Sequence, residues 1–392
     1  MSKPAERGHG VLRVVALGSS TGRYGGPFDT ARAQIELISS VFPSCALFAP
    51  HLPDDSFAHS TERGYSTASP PVLMIPRLGT PSVFSFRAAH SLLRSIYRAR
   101  VVHISIAREP LPALALVLAL VLGKRVVAQP HGMLTSRSSV PHRILDLALG
   151  PLMRGADVTV ALTDQERVDL KRRFRLRPGS IVVLGNPLLR GVARPNVDNA
   201  RHAPATLEAL FIARLHPRKR LGTFTDAAAE ALEHGWPEQY ALIGPDQGEL
   251  QAALDRQLPN LRYEGTLPPS YVPSRLEHAG VFVLTAEAEP WGNVLVAALS
   301  SGIPVVVSES SALAETIRDN GAGIVTPDGD GDAVAAAVHY ILHSPDYKSF
   351  SEAALRLSDR EFTDAAVLRT LADIYTSRAR SAGSGSRPRG QE

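Results

Sequence analysis

The hydrophobic positions along this chain form short apolar runs that alternate with longer stretches in which apolar residues recur at helical spacing. Residues 281–307 show this most clearly: the run VFVL is followed by the acidic turn TAEAEPWG, the segment NVLVAALSSG and the run VVV. This order predicts a strand, a loop, a helix and a second strand, which form one right-handed crossover of a parallel sheet. The loop then lies at the carboxyl edge of the sheet, where open α/β sheets bind ligands.

The same alternation extends over almost the whole sequence. In the first half it predicts strands at residues 11–17, 46–49, 72–75, 101–106, 125–128, 158–162 and 181–184, and helices at 30–39, 86–98, 111–122, 143–153 and 164–174. In the second half it predicts strands at 207–213, 240–243, 261–263, 281–284 and 305–307, and helices at 221–233, 249–257, 333–342, 349–359 and 363–378. Residues 51–70 and 77–85, rich in Pro, Ser, Asp and Gly, are predicted to be surface loops. Strands that alternate with helices indicate an α/β fold with parallel, doubly wound sheets.

The clearest linker in the chain follows the tripeptide Gly185-Asn186-Pro187, where the sequence becomes polar and is broken by prolines. A length of 392 residues also exceeds one ordinary core. The sequence therefore predicts an N-terminal Rossmann-like domain at residues 1–187, a linker at 188–205, a C-terminal domain at 206–362, a helix at 363–380 that packs back toward the first domain, and a disordered tail at 381–392. A ligand in the cleft between two such domains can touch both.

The composition adds limits rather than a function. With 44% hydrophobic and 20% charged residues and a net charge of +4, the chain has the composition of an ordinary soluble protein, and no nucleic-acid partner is expected. The longest apolar run, residues 111–122, is shorter than the roughly 20 residues of a membrane span and is predicted to be a buried helix. The polar first ten residues resemble no secretory signal, and the single Cys45 fits a small core residue. These features favour a reducing, cytoplasmic location.

Two loops of the first half carry candidate chemistry. The glycine-rich loop at residues 18–27 lacks the G-x-G-x-x-G spacing of a dinucleotide site, but Gly25 and Gly26 stand directly before a helix, where they fit either a phosphate contact or a flexible turn. In the segment QPHGML, His131 follows a predicted strand and fits either an exposed residue that is free to titrate or donate a hydrogen bond, or a loop histidine bonded to backbone. His103, inside an apolar strand, is predicted to be a core residue.

In the second half, Arg214 directly follows a predicted strand and Lys219 precedes a helix, so they fit either an anion site or a solvated basic turn. The free backbone N–H groups of Gly292, Asn293 and Val294 at the next helix start suit a phosphate.

Metal binding receives little support from the sequence. The segment DGDGD at residues 328–332 lacks the later ligands of a calcium loop, so Asp332 is predicted to be a helix N-cap. No pair of closely spaced histidines or cysteines suggests a zinc site.

Five segments taken in order, GRYGGPFDT, PHGML, RLHPRKRL, GPDQGE and EPWGNVLVAALSSGIPVV, resemble glycosyltransferase family 4. The resemblance covers roughly residues 11–345 and implies a GT-B fold and a retaining enzyme that uses a nucleotide diphosphate sugar, with no cofactor and no metal.

The resemblance also implies roles for the candidate residues. Arg214 and Lys219 would bind the donor diphosphate, and Glu289 would contact hydroxyls of the donor sugar. His131 would hydrogen-bond the sugar or the leaving group. The remaining donor-binding residues would be Gly25, Gly26, Gly292, Asn293 and Val294.

One position departs from the family pattern. The family places a second glutamate eight residues after the first, where it holds the ribose of the nucleotide, and this chain has Ala297 there. Two functions therefore stay open: a transferase that acts on a saccharide or lipid-linked acceptor in cell-surface polysaccharide or glycoconjugate synthesis, and a non-catalytic binding or partner protein on the same scaffold. The basic, amphipathic segment at residues 91–100 and the cations of residues 171–177 fit either peripheral contact with the inner face of an anionic membrane or a solvated surface.

Overall fold

A computed structural model describes residues 10–19, 26–53, 64–74, 83–134, 140–189, 191–192 and 195–377, and the structural statements below concern these residues. In the first half the strands are β1 (Val11–Val14), β2 (Cys45–Phe48), β3 (Tyr65–Ala68), β4 (Leu73–Met74), β5 (Val83–Phe84), β6 (Val101–Ser105), β7 (Arg125–Gln129), β8 (Val158–Ala161) and β9 (Ile181–Val183). The helices are α1 (Gly26–Ser39), α2 (Phe86–Arg98), α3 (Pro110–Val121), α4 (Val140–Gly155) and α5 (Asp164–Phe174).

Seven of these strands form one parallel sheet in the order β3-β2-β1-β6-β7-β8-β9, and β4 and β5 form a separate antiparallel pair. The strands are almost wholly apolar because helices cover both faces, and one buried cluster lies on each side of the sheet. The strand order reverses between β1 and β6, so the loops after these strands leave the sheet in opposite directions. An open α/β sheet has its ligand crevice at such a point.

The second half repeats the plan with six parallel strands in the order β12-β11-β10-β13-β14-β15. Its strands are β10 (Glu208–Ile212), β11 (Gln239–Ile243), β12 (Leu261–Tyr263), β13 (Val281–Leu284), β14 (Val305–Ser308) and β15 (Gly323–Thr326). Its helices are α6 (Leu221–Glu233), α7 (Leu250–Leu254), α8 (Val272–Leu276), α9 (Asn293–Ser300), α10 (Ala314–Asn320), α11 (Gly331–His343), α12 (Tyr347–Glu361) and α13 (Asp364–Thr376). Buried clusters again cover both faces of the sheet. The two doubly wound α/β domains confirm the predicted fold class.

The last helix, α13, packs on the first domain. It lies against α1, and the Tyr375 hydroxyl is 2.6 Å from Nδ1 of His103 in β6. Arg125 Nε donates to the carbonyl of Ile374 at 2.9 Å. The predicted tail at residues 381–392 lies outside the described residues.

Several local predictions were wrong. The loop expected at residues 51–70 contains the edge strand β3, whose sequence YSTA is too polar to stand out as a buried strand. The loop expected at 77–85 ends in β5, and α1 begins at Gly26 rather than at a cap on Asp29 or Thr30. The helix α3 buries only one face, since Val121 is 78% exposed. Three segments were missed altogether, α8, α10 and β15.

Candidate active site

The candidate active site lies at the carboxyl edge of the second sheet, where the strand order reverses between β10 and β13. The chain leaves β10 through Arg214 and a basic turn, and it leaves β13 through residues 285–292, which lead into α9. The two loops therefore depart in opposite directions and leave a crevice between them. Sequence order alone placed Arg214, Lys219 and Glu289 near this edge; the sheet brings their loops side by side.

Lys219 and Glu289 form an ion pair between Nζ and Oε2, and their side chains are only 21% and 12% exposed. Lys219 ends a short 3-10 turn (Pro217–Lys219), and the hydroxyl of Thr285 donates to the carbonyls of Lys219 and Arg220 at 3.1 and 3.0 Å. The basic turn is thus fixed to the end of β13. The sequence predicted separate partners for these two side chains, a phosphate and a sugar, whereas the structure brings them into contact.

Arg214 is exposed, as is Arg218, and Arg214 makes no ion pair with any described residue. Partial burial lowers the pKa of its guanidinium, the Glu289 carboxylate opposes this effect, and Arg218 adds to it. Arg220, in contrast, is paired with Glu287 at 3.4 Å and with Asp328 at 3.5 Å. Arg214 therefore offers its positive charge to a ligand, while Arg220 holds the loops together.

The start of α9 lets a ligand approach the backbone closely. Gly292 has φ 75, in the left-handed region, and a Cβ there would lie 3.0 Å from Cβ of Leu295. A side chain at this position would therefore strain the backbone and crowd the helix. The first N–H groups of the helix, those of Asn293 and Val294, have no partner within the helix and can meet an anion.

Asn293 joins the two domains at this point. Its Oδ1 accepts a hydrogen bond from Nδ2 of Asn186 at 2.9 Å, and a Cβ on Gly26 would lie 3.4 Å from its Nδ2. The predicted donor-binding residues Gly26 and Asn293 are therefore neighbours across the cleft. Val294 is half-buried and packs on the core of the second domain. Gly25 lies outside the described residues.

His131 is not an exposed, titrating residue, which was one of its two interpretations from the sequence. It is 7% exposed, has φ 54, and its Nε2 lies 3.0 Å from the Ser105 hydroxyl. Burial, and then the charge of Arg13, hold the pKa of His131 well below its usual value. The imidazole is thus neutral near pH 7, and its Nδ1 is buried without a partner among the described residues.

Arg13 supplies the charge in this environment, and its role was not predicted from the sequence. The side chain is fully buried in β1 and donates to the His103 carbonyl at 3.3 Å, to Ser105 Oγ at 3.4 Å and to Gln129 Oε1 at 3.2 Å. Burial lowers the pKa of Arg13 to about 10. The signal was available, because an arginine interrupts the apolar run VLRVVAL. His103 is fully buried beside it, as predicted.

The PHG loop and the EPWG loop lie in contact, with Gly132 at the point of contact. A Cβ on Gly132 would lie 2.3 Å from Cβ of Pro290, so only glycine lets the PHG loop of the first domain lie on the EPWG loop of the second. The N–H of Gly132 donates to Oε1 of Glu166 at 2.7 Å, which anchors the PHG loop to α5. The loop bearing His131 therefore lies against the loop bearing Glu289.

Three other sequence predictions have clear outcomes. Ala297, in α9, is fully buried in an apolar core of the second domain. The N-cap of α11 is Asp330, whose side chain accepts from the N–H of Ala333 at 2.8 Å, so the assignment to Asp332 was wrong. The interpretation that no closely spaced pair of histidines suggests zinc overlooked His339 and His343, which lie one turn apart on α11 and meet Glu238.

Comparison with known families agrees with this architecture. Residues 44–188 match the model for Glycosyltransferase Family 4, and residues 206–344 match the model for Glycosyl transferases group 1. Together the two segments make up more than two thirds of the chain.

Two curated relatives illustrate the similarity. The chain is 29% identical over 257 residues to the amylovoran biosynthesis glycosyltransferase AmsK of Erwinia amylovora, over 57% of this chain and 62% of that protein. It is 26% identical over 223 residues to the phosphatidyl-myo-inositol mannosyltransferase of Mycobacterium leprae, over 53% of this chain and 58% of that protein. The matched segments thus span less than two thirds of either relative.

Solved structures share the fold. Anabaena Alr3699/HepE, crystallised with UDP and glucose, superposes with a TM-score of 0.71 at 15% identity, covering 94% of this chain and 100% of that one. The sucrose-phosphate synthase of Thermosynechococcus elongatus superposes with a TM-score of 0.69 at 16% identity, covering 94% and 98%. None of the described helices combines the length and the apolar composition that a membrane span requires. The chain is therefore a GT4-like protein of GT-B architecture, whose two domains match the family 4 and group 1 glycosyltransferase models.

Proposed function

We propose that this protein is a retaining glycosyltransferase that moves a sugar from a nucleotide diphosphate sugar to a saccharide or lipid-linked acceptor. The observation that carries the proposal is the grouping of Arg214, Lys219 and Glu289 beside the free end of α9, at the strand-order reversal of the second sheet. Two cations and a helix start suit a diphosphate, and a carboxylate beside them suits the hydroxyl groups of a sugar.

The Lys219–Glu289 pair suggests how the donor would bind. The diphosphate takes the place of Glu289 as the partner of Lys219, and Glu289 then accepts hydrogen bonds from sugar hydroxyls. Arg214, exposed and without an ion-pair partner among the described residues, adds a second cation on the diphosphate. Charges that are already in position when negative charge grows on the leaving group are often the largest contribution to catalysis.

The proposed reaction needs no covalent intermediate. The bond between sugar C1 and the diphosphate oxygen breaks, the acceptor hydroxyl oxygen bonds to C1 on the same face, and the hydroxyl proton passes to the leaving phosphate oxygen. Neutral His131 would hydrogen-bond the sugar or the leaving group through Nδ1, since Nε2 is engaged by Ser105, and donor binding would have to uncover the buried Nδ1. We propose no cofactor and no metal at this site, and chelation of divalent metal should leave the transfer rate unchanged.

Two groups of comparisons support the proposed nucleotide sugar donor and the proposed saccharide or lipid-linked acceptor. The related structures carry UDP, UDP and glucose, or UDP-glucose in their crystals. The curated relatives include enzymes named for amylovoran and for phosphatidyl-myo-inositol. These names favour a role in cell-surface polysaccharide or glycoconjugate synthesis.

The test is a panel of nucleotide sugars, read by thermal shift and by release of the nucleoside diphosphate. We expect one donor to raise the melting temperature, because a ligand that binds only the native state stabilises it by mass action. Lys219→Met should lower kcat/KM for that donor about 100-fold, the usual scale for one positioned electrostatic group.

The matched control is Lys348→Met, which removes an exposed lysine of α12 that pairs with Glu352. It should leave kcat/KM unchanged. Equal activity in the two variants, or no response to any donor, would contradict the proposed function.

A second candidate, a non-catalytic binding or partner protein, is favoured by Ala297. Ala297→Glu tests it. If the protein is a transferase that lacks only the ribose contact, the new carboxylate should tighten donor binding about tenfold or more, since a hydrogen bond to a charged group contributes about 1.5–3 kcal/mol.

Ala298→Glu is the control for the Ala297 test, because Ala298 is equally buried on the same helix. Both variants should melt at lower temperature, since a buried carboxylate is unfavourable, but only the change at 297 should tighten donor binding. No gain at 297 would favour the non-catalytic reading.

We also propose peripheral contact of the first domain with the inner face of an anionic membrane. On α2, Phe86 is 86% and Tyr97 71% exposed, and the same helix carries Arg87, Arg94 and Arg98. Apolar side chains among cations are the composition of a helix that lies on an anionic bilayer. Helix α3, which packs beside α2, adds exposed Val121. A lipid-linked acceptor would be reached from this surface.

A further inference from the structure

A cluster of metal-ligating side chains lies in the second domain, outside the site described above. His339 and His343 lie one turn apart on α11, and both meet Glu238, which immediately precedes β11. Nδ1 of His339 lies 2.7 Å and Nε2 of His343 2.8 Å from the same oxygen, Oε1 of Glu238. The ligand atoms of the three residues all lie within 4.8 Å of one another.

The burial of Glu238 is unusual for a carboxylate. Its side chain is 0% exposed, whereas those of His339 and His343 are 33% and 38% exposed. The second oxygen, Oε2, is buried and meets no hydrogen-bonding group of the described residues. A carboxylate held only as a structural acceptor normally receives donors on both oxygens, because an unsatisfied buried acceptor is unfavourable.

The surroundings hold the ligands in place. Trp236 stacks on the His339 ring at 4.1 Å between centroids, with an interplanar angle of 14°. The ring of His234 also stacks on Trp236, at 4.6 Å between centroids. Glu238 is fixed by the start of β11 and the histidines by α11, so the three ligands come from two rigid elements.

The chemistry of the ligand set points to a transition metal. Two imidazole nitrogens and one carboxylate oxygen suit zinc, whereas magnesium and calcium prefer oxygen ligands. Zinc bonds of about 2.0–2.2 Å in a tetrahedron hold neighbouring ligand atoms roughly 3.4 Å apart. The half-exposed imidazoles need to move by less than 1 Å, on the order of a bond-length adjustment, to reach that spacing.

We propose that Glu238, His339 and His343 form a zinc site with a fourth position open to solvent. The site lies at the amino edge of the second sheet, because Glu238 precedes β11 and α11 runs back to that edge. The candidate active site lies at the carboxyl edge. The ion would therefore join α11 to the start of β11 rather than take part in sugar transfer, and the inference does not depend on the proposed function.

The test uses the full chain, untagged and treated with chelator. Titration with Zn²⁺ should show saturable binding of one ion per chain and raise the melting temperature by about 3 °C at a hundredfold excess over Kd. Mg²⁺ should do neither. Co²⁺ in place of Zn²⁺ should give visible ligand-field absorption that excess Zn²⁺ removes.

Two variants separate this site from casual binding of zinc by surface histidines. His343→Ala should weaken Zn²⁺ binding more than about tenfold, since even outer partners of metal ligands contribute that much. His278→Ala removes an exposed histidine bonded to the Ser274 carbonyl, and it should bind Zn²⁺ as the unchanged protein does.

Circular dichroism checks that the His343→Ala protein keeps its fold, as expected for a substitution at a partly exposed position. If the unchanged protein binds no stoichiometric Zn²⁺, or if His343→Ala binds it equally well, the three residues form a hydrogen-bonded cluster only and the proposal is wrong.

Discussion

At the scale of single residues, Arg13 determines the electrostatics of the first domain's interior. Its guanidinium is fully buried and bonds to neutral groups, a carbonyl, a hydroxyl and an amide. Burial, then the charge of Arg13, lower the pKa of both His131 and His103 well below the usual value. The candidate site therefore contains a neutral imidazole, which can exchange hydrogen bonds with a sugar but adds no positive charge.

This arrangement predicts a pH dependence of folding. Below about pH 6.5 an unfolded histidine binds a proton that native His131 does not, so the free energy of unfolding decreases as pH falls, by up to about 1.4 kcal/mol per pH unit. Glu109 acts in the opposite direction, because burial raises its pKa to about 7. The quantity to measure is therefore a difference between variants.

Urea unfolding of the unchanged protein and of His131→Asn, at pH 5.5 and at pH 7.5, isolates the contribution of His131. The variant should lose less stability between the two pH values than the unchanged protein. If both lose the same amount, His131 is not held neutral in the native state.

At the scale of elements, α2 and α9 differ in burial: α9 is mostly buried, whereas α2 leaves one side exposed. Helix α9 is buried along most of its length, and its start faces the cleft. Helix α2 buries Ala88, Leu92 and Ile96 and leaves Phe86 exposed. Periodicity located both helices, but only packing showed which apolar side chains of α2 are exposed.

The exposed side of α2 predicts binding to anionic vesicles. The double variant Phe86→Ser, Tyr97→Ser should float with vesicles of phosphatidylglycerol and phosphatidylcholine at least several-fold less than the unchanged protein, because it loses the apolar contacts. High salt should release the unchanged protein, because its arginine contacts are screened.

Tyr271→Ser is the control for the vesicle experiment, since Tyr271 is 61% exposed but lies in the second domain. Its flotation should equal that of the unchanged protein. Absence of salt-sensitive flotation in the unchanged protein would contradict membrane contact.

At the scale of the whole molecule, glycines set how closely the domains approach. A Cβ on Gly185 would lie 2.2 Å from the indole of Trp291, whose ring is 7% exposed and packs edge-on to Phe362 at 5.5 Å. Because the indole is held by its own packing, it cannot easily move aside. Gly185 and Gly132 are therefore two positions where an added side chain would collide with the other domain.

Gly185→Ala tests this contact. We expect it to shift one domain relative to the other, raise KM for the donor, and destabilise the protein by about 1–3 kcal/mol through overpacking. Gly179→Ala is the control, because a Cβ there meets nothing within 4 Å. Small-angle scattering and thermal melting should change for Gly185→Ala only; two indistinguishable variants would mean that the interface adapts without strain.

Much of this protein could be predicted from the order of its residues. Apolar periodicity located most of the strands and helices, since a buried strand between helices is a continuous apolar run. It missed β3 because the edge strand is partly polar, and α10 and β15 because a short helix and a half-buried strand give weak patterns. The motifs also located Arg214, Lys219 and Glu289, although their roles stay a prediction.

The sequence by itself determined the α/β fold class and the chain positions of the candidate site residues, because both follow from local patterns. Only the tertiary structure decided which of those residues meet. It paired Lys219 with Glu289, buried His131 beside Arg13, and brought Glu238 to two histidines about a hundred residues away. Burial, charge and contact between distant segments depend on how the elements pack, and no local pattern of residues records them.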